Sequence, residues 1–328
     1  TPAHIAAVAE RCRTIQPQPI RPKTRTVVSS YGRAVEIDGP VLIGERINPT
    51  GKSKFKQALR EGDIGYLLRE GIAQQEAGAH ILDVNVGLPE IDETAWMTRA
   101  VRELQAILDL PLQIDTADTA TLEAAMRLYN GKPLVNSVSG KQASMDAVFP
   151  LVRRYGGVVV ALTLDEDGIP PTAEGRLAVA RKIVETAASY GIDKKDILVD
   201  VLTMAVSADP NAANVTLDAL RLVREELGVH TVLGVSNVSF GLPRRETVNA
   251  SFYTLALQNG LDAAILNPCS PGMKRAYLAY RMLTGQDKQC AEYIAAAADT
   301  PAELAAAAAG QTVLGLHEAI VKGLREQA

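Results

Sequence analysis

Carboxylates and side-chain amides recur in this chain at the ends of short apolar runs. Glu45 and Asn48 close VLIGERIN (41–48), Asp83 and Asn85 fall near the end of HILDVNVG (80–87), and Asp115 falls in PLQIDTA (111–117). Asn136, Ser137 and Ser139 end KPLVNSVSG (132–140), and Asp200 sits in DILVDVL (196–202). Ser236 and Asn237 end HTVLGVSN (230–237), and Asn267 ends LDAAILNP (261–268). A carboxylate accepts hydrogen bonds, whereas an amide both donates and accepts. A ring of such groups matches a flat heterocycle that sets an amino group beside a ring N–H and a carbonyl. A pterin has that edge. Any one of these Asn residues reads equally well as a tie between strand and loop. Four acid or amide groups on four strands, all at one end, favour a binding role.

Absences narrow the chemistry. No lysine lies in the closing residues of a run, which argues against a Schiff-base enzyme. His80 and His230 open their runs, and His4 and His317 lie in terminal segments, so no histidine is placed for general acid–base work. No His/Asp/Glu cluster has metal-ligand spacing. The CSPGMKR stretch around Gly272 is a poor match to a phosphate-binding turn. Three scattered cysteines, Cys12, Cys269 and Cys290, fit a reducing, cytoplasmic setting better than a disulfide framework. With 34 basic and 38 acidic residues there is no basic face for nucleic acid. No apolar run is long enough to cross a membrane, and no signal peptide is visible.

The runs alternate with amphipathic segments such as ETAWMTRAVRELQAIL and TAEGRLAVARKIVETAASYG. Several of these stop on glycine, at Gly78, Gly131, Gly156, Gly191, Gly228 and Gly260, where a helix can end in a left-handed residue. Near-continuous apolar strands each followed by a helix mean a parallel sheet covered by helices. Eight of them favour an α/β fold closed into a (β/α)8 TIM barrel over an open doubly wound sheet. Residues 1–13 read as a helical piece with Pro2 in its first turn, and TIQPQPIRPKTR follows as an extended linker. TVVSSYGRAVEID (26–38) reads as strand–turn–strand, placed to plug the barrel bottom. Residues 302–309 are nearly all Ala, and VLGLHEAIVKGL places Val313, Leu316, Ile320 and Leu324 on one helical face.

GERINPTGK, LDVNVG, QIDTAD, PLVNSVSGK, ILVDVLT, VLGVSNVSFGLPRR and GLDAAILNP together resemble the pterin-binding methyltransferases, whose barrel is like that of dihydropteroate synthase. The likeness runs over about residues 38–290, in the family's motif order, and is greatest to the folate-binding module of cobalamin-dependent methionine synthase. It implies a pterin-binding barrel over 26–290 with short flanking helical segments. Residues 1–25 would then be the end of a homocysteine-binding domain plus linker, and 291–328 a linker and the first helix of a cobalamin-binding region. By the resemblance, Asp200, Asn136 and Asp115 hold the pyrimidine edge of 5-methyltetrahydrofolate, with Asp83 and Asn85 in support. Asn237 lies beside the methyl-bearing nitrogen as the catalytic residue. Glu45 and Asn48 line the same end, and Arg245 and Asn249 shape the side after the seventh strand, with Arg244 the rival to Arg245.

The implied reaction passes the folate methyl group to cob(I)alamin carried by another domain, and the zinc-binding cysteines of the homocysteine domain are not in this chain. The alternatives are a stand-alone methyltetrahydrofolate:corrinoid protein methyltransferase, a non-catalytic folate-binding module, and dihydropteroate synthase. The last would call for a lysine in the SNVSFG motif and an Arg-x-His where this chain has LNPCSPG.

Overall fold

The structure is a computed structural model that describes residues 1–19, 21 and 23–298. The Ala-rich stretch and the helical face expected over 313–324 lie outside the described residues. A short antiparallel pair, β1 (Val27–Ser29) and β2 (Ala34–Glu36), precedes a closed parallel barrel. Its strands are β3 (Val41–Ile47), β4 (Ile81–Val84), β5 (Leu112–Asp115), β6 (Leu134–Ser139), β7 (Val158–Leu162), β8 (Ile197–Asp200), β9 (His230–Gly234) and β10 (Ala263–Leu266), and β10 closes on β3.

The helices begin with α1 (Pro2–Cys12), which buries no residue. The others are α2 (Ser53–Glu61), α3 (Ile64–Glu76), α4 (Glu93–Ile107), α5 (Thr119–Leu128), α6 (Gln142–Tyr155), α7 (Ala173–Ser189), α8 (Ala212–Leu227), α9 (Arg245–Gln258), α10 (Pro271–Leu283) and α11 (Ala291–Ala298). Side chains alternate between the two faces of a strand, so each barrel strand serves two cores. Leu42, Leu82, Leu112, Val135, Val159 and Val199 face the helices in the larger, outer cluster. Val41, Ile43, Ile81, Leu134, Val158, Leu198, Val232 and Ala263 fill the barrel interior.

The hairpin plug expected from TVVSSYGRAVEID is present. Val28, Val35 and Ile37 join the interior cluster at the end where the strands begin. Ser29 pairs with Lys132 through backbone hydrogen bonds in both directions, at 2.8 and 3.0 Å. The Tyr129 hydroxyl ties the same region, donating to Ser29 O at 3.0 Å and accepting from Leu112 N at 2.9 Å. All six glycine stops carry positive φ, from 60° at Gly228 to 135° at Gly131.

The seventh barrel strand is shorter than the sequence suggests. The apolar run 232–235 looks continuous, but β9 ends at Gly234 and Val235–Ser239 forms a 3-10 helix. Three residues per turn put Val235 and Val238 on one side, and both are buried. The i, i+3 pair is the pattern that the strand reading overlooked.

Gly131 marks a joint that cannot take a side chain: its φ is 135°, and a Cβ there would overlap the Ser29 carbonyl oxygen. Gly131→Ala is expected to lower stability by on the order of 2–4 kcal/mol, the range of a strained backbone position with a clash. Urea unfolding followed by circular dichroism measures it, and a loss below about 0.5 kcal/mol would refute the plug as a tightly fixed element.

Candidate active site at the barrel mouth

Going up the inward-facing positions, apolar residues give way to acids and amides. Ile43 is followed by Glu45, Ile81 by Asp83, Leu134 by Asn136 and Leu198 by Asp200, each two residues on and so on the same face. Gln113 and Asp115 do the same on β5. The predicted ring of Glu45, Asp83, Asp115, Asn136 and Asp200 is therefore gathered at the C-terminal end of the strands. A cavity of about 480 Å³ opens beside it, lined among others by Asp115, Asn136, Ser137, Ser139, Leu162 and Lys141.

The acids are not equivalent. Asp83 is 3% exposed and accepts from Gln113 Nε2 at 2.6 Å. Burial, with the like charge of Asp115 adding to it, holds Asp83 well above the usual carboxylate range. Asp115 is pushed up to about 6 by burial, against the hydrogen bond from Asn85 Nδ2 at 2.9 Å. Asn85 is fixed at both ends, because its Oδ1 accepts from Gly87 N at 2.9 Å. Asp115 is thus oriented by Asn85, whereas Asn136 beside it in the sheet makes no side-chain hydrogen bond among the described residues. Asp200 is pushed up to about 7 by burial, and its Oδ1 accepts from Leu202 N at 2.7 Å. Glu45 is raised by burial and accepts from Ser236 Oγ at 3.1 Å.

The loop after β9 carries the other candidates. Asn237 lies on the 3-10 helix and not at a strand end, which corrects the sequence reading. It is exposed, and its amide nitrogen lies 3.0 Å from where a Cβ on Gly234 would sit, so a larger residue there would push that amide by a few tenths of an ångström. Arg245 spans the 3-10 helix, donating from Nη2 to Ser236 O at 2.7 Å and from Nε to Ser239 Oγ at 3.0 Å. Arg244 is the N-cap of α9 in a left-handed conformation and is exposed. Of the two arginines, Arg245 therefore shapes the mouth. Asn249, one turn along α9, is buried with its Oδ1 unpartnered. Asn48 is spent locally, accepting from Thr50 N at 2.9 Å in the turn after β3.

Three participants escaped the sequence reading. Gln113 holds Asp83, and its position two residues before Asp115 is the available signal. Lys52 reaches back from the start of α2 to donate to Glu45 O at 2.8 Å and Arg46 O at 3.1 Å. Burial lowers its ammonium from the ordinary lysine value, with Glu45 opposing that effect. Arg176 reaches the loop after β8 from α7. The weak phosphate-turn motif has its own explanation: Glu246 Oε1 accepts from Gly272 N at 2.5 Å and Ser270 Oγ at 2.7 Å, so a carboxylate already occupies the N-terminus of α10. Among the described residues no group of three His, Cys, Asp or Glu could hold a metal ion.

The chain is thus a closed parallel barrel with buried acids and amides at its mouth. Residues 44–267 match the family of pterin binding enzymes, and the chain belongs to that family. It is 33% identical over 261 residues to a methylcorrinoid:tetrahydrofolate methyltransferase of Eubacterium limosum, covering 77% of this chain and 94% of that protein. It is 32% identical over 283 residues to methionine synthase of Mycobacterium tuberculosis, covering 81% of this chain but only 24% of that longer protein. In fold it is similar to dihydropteroate synthase from Xanthomonas albilineans in complex with 7,8-dihydropteroate, with a TM-score of 0.59, 19% identity, and coverage of 79% of this chain and 98% of that one. The Yersinia pestis dihydropteroate synthase with a pterine–sulfa conjugate gives a TM-score of 0.62 at 14% identity, covering 79% of this chain and 99% of that one.

The raised acids set a pH dependence whose sign is fixed. Folded Asp200 keeps its proton up to about pH 7, whereas unfolded it releases it near 3.8. Between those values unfolding releases a proton, so stability falls as pH rises. The contribution is fully present below the unfolded value and lost above about pH 7, and Asp115 acts the same way up to about pH 6. For Asp200 alone it amounts to at most about 4 kcal/mol. The ligand-free protein is expected to unfold at lower urea at pH 8 than at pH 5, and Asp200→Asn to flatten that decline. Equal wild-type midpoints at the two pH values would contradict the buried, protonated acid.

Proposed function

We propose that the mouth binds 5-methyltetrahydrofolate by its pterin edge and catalyses methyl transfer from it to a corrinoid carried by another domain, as the folate half-reaction of methionine synthesis from homocysteine. The observation that carries this is the presence at one mouth of buried acids, Asp200 and Asp115, and of amides, Asn136 and Asn237, whose side chains make no hydrogen bond among the described residues. Buried oxygens without partners at Asn249, Thr163 and Thr203 also fit a site whose polar groups are completed by a ligand. When bound, the corrinoid supplies the cobalt centre that takes the methyl group.

In this reading Asp200 accepts the paired N–H groups of the pyrimidine ring, with Asn136 beside it. Asp115, locked by Asn85, lines the same edge, and Asp83 with Gln113 forms its floor. The departing amine is a poor leaving group unless it is protonated, so the site must favour the protonated form in or before the transition state. Asn237 can turn its amide oxygen toward the new N–H. Glu45, raised from its ordinary value by burial, accepts from Ser236 Oγ beside Asn237 and so ties the strand-one end of the mouth to the same loop. Arg245 holds the 3-10 helix that carries both residues. Residues 1–25 and 291–328 serve in this reading as joints to the homocysteine-binding and cobalamin-binding domains.

A second reading, a stand-alone methyltransferase that meets a separate corrinoid protein, is favoured by the 94% coverage of the Eubacterium limosum relative. The chemistry at the mouth is common to both readings. A non-catalytic folate module would bind without transfer.

Mixing the chain with methyltetrahydrofolate and reduced cobalamin should produce methylcobalamin, followed by its absorbance. Folate binding without transfer would leave only the binding-module reading. Asn237→Ala is expected to slow single-turnover transfer roughly 10- to 1000-fold with a smaller loss of affinity, the range for removing one contact made in the transition state. Asp200→Ala is expected instead to weaken folate binding by about tenfold or more in titration calorimetry, since its contacts persist throughout.

A further inference from the structure

We propose that Arg176, on α7 and outside the ring of mouth residues, is the positioning residue that aims Asp200 at the ligand. Its side chain is almost fully buried, at 3% exposure, and among the described residues it forms no ion pair. A guanidinium so placed is retained only if its N–H groups are satisfied. Two of its nitrogens are tied down: Nη1 lies within hydrogen-bond distance of Val201 O at 2.9 Å, Leu202 O at 2.8 Å and Thr216 Oγ1 at 3.2 Å, and Nε donates to Pro170 O at 3.2 Å.

The two carbonyls belong to the turn that leaves β8. Leu202 stands there at φ 65°, a left-handed conformation unfavourable for a branched side chain. That turn points Leu202 N–H back onto Asp200 Oδ1 at 2.7 Å. One carboxylate oxygen is thereby pinned, and the other is left for a ligand. The chain of contacts runs from Arg176 through the Leu202 peptide to Asp200.

Charge adds to geometry. Burial raises Asp200, while the Leu202 N–H and the positive charge of Arg176 oppose the rise. The flanking strands place neutral Leu162 and Val232 beside Asp200. Glu45, Asp83, Asp115, Lys52, Lys141 and Arg245 are the charged and titratable groups of the remaining mouth. Arg176 is thus the nearby cation that keeps Asp200 ionisable close to neutral pH.

This inference rests on the folate reading for its ligand but not for its first measurement. In the ligand-free protein, carbon-13 NMR follows the Asp200 carboxyl, assigned by its loss in Asp200→Asn. Arg176→Gln, which removes the charge, is expected to move the Asp200 midpoint upward from about 7. Arg176→Lys keeps the charge but not both carbonyl contacts and should move that midpoint less. Methyltetrahydrofolate affinity should fall about tenfold in Arg176→Gln, the scale of one charge-assisted contact, and about threefold in Arg176→Lys, which cannot hold both carbonyls. An unmoved midpoint in Arg176→Gln overturns the proposal. If that variant does not fold, unchanged folate affinity in Arg176→Lys overturns it. A moved midpoint in a protein that binds no folate supports the link from Arg176 to Asp200 and sinks the folate reading instead.

Discussion

The burial of four carboxylates at one end of a closed barrel is the constraint on which the rest of this structure depends. Glu45, Asp83, Asp115 and Asp200 are each raised above their ordinary values, and in each burial is the largest cause. Desolvated charge is costly, so each acid needs a defined partner. The partners are Ser236, Gln113, Asn85 and the Leu202 N–H. Those partners in turn fix the loops: Asn85 sets the turn after β4, Leu202 the turn after β8, and Ser236 the 3-10 helix after β9. The lower barrel carries none of this burden. Apart from Gln113, which turns to Asp83, its inward side chains are Val, Ile, Leu and Ala, sealed by the hairpin residues Val28, Val35 and Ile37.

Much of this was legible in the sequence because the periodicity of a parallel strand is simple. Apolar runs, glycine stops and the polar residues that end each run were enough to give the barrel, its helices and the end at which Asp83, Asp115, Asn136 and Asp200 gather. The resemblance to pterin-binding methyltransferases named the same end. Three features were not legible, each for a physical reason. A V-x-x-V spacing cannot be told from a strand until a partner strand is seen to stop, so Asn237 was placed on β9 instead of on the 3-10 helix. Lys52 acts through backbone carbonyls, which leave no mark in residue type. Arg176 lies in an amphipathic helix where an arginine normally reads as solvated, and only tertiary packing shows that it is buried.

The loops after β8 and β9 are also joined to each other. Val206 N donates to Val238 O at 3.0 Å, and Ser207 Oγ to Phe240 O at 2.7 Å. Asp200 and Asn237, to which the proposed function gives binding and transfer, thus precede and occupy segments cross-linked by these two hydrogen bonds. Cross-linking of this kind helps preserve the spacing between a binding group and a reacting one, on which catalysis by orientation depends.

The hairpin plug has a further consequence. With the lower end closed by Val28, Val35 and Ile37, the mouth is the open end of the barrel among the described residues. Anything that reaches the buried acids comes by way of the rim, so a body settled over that rim would control access to them. The stopper at the far end of the barrel thus leaves the rim in charge of access.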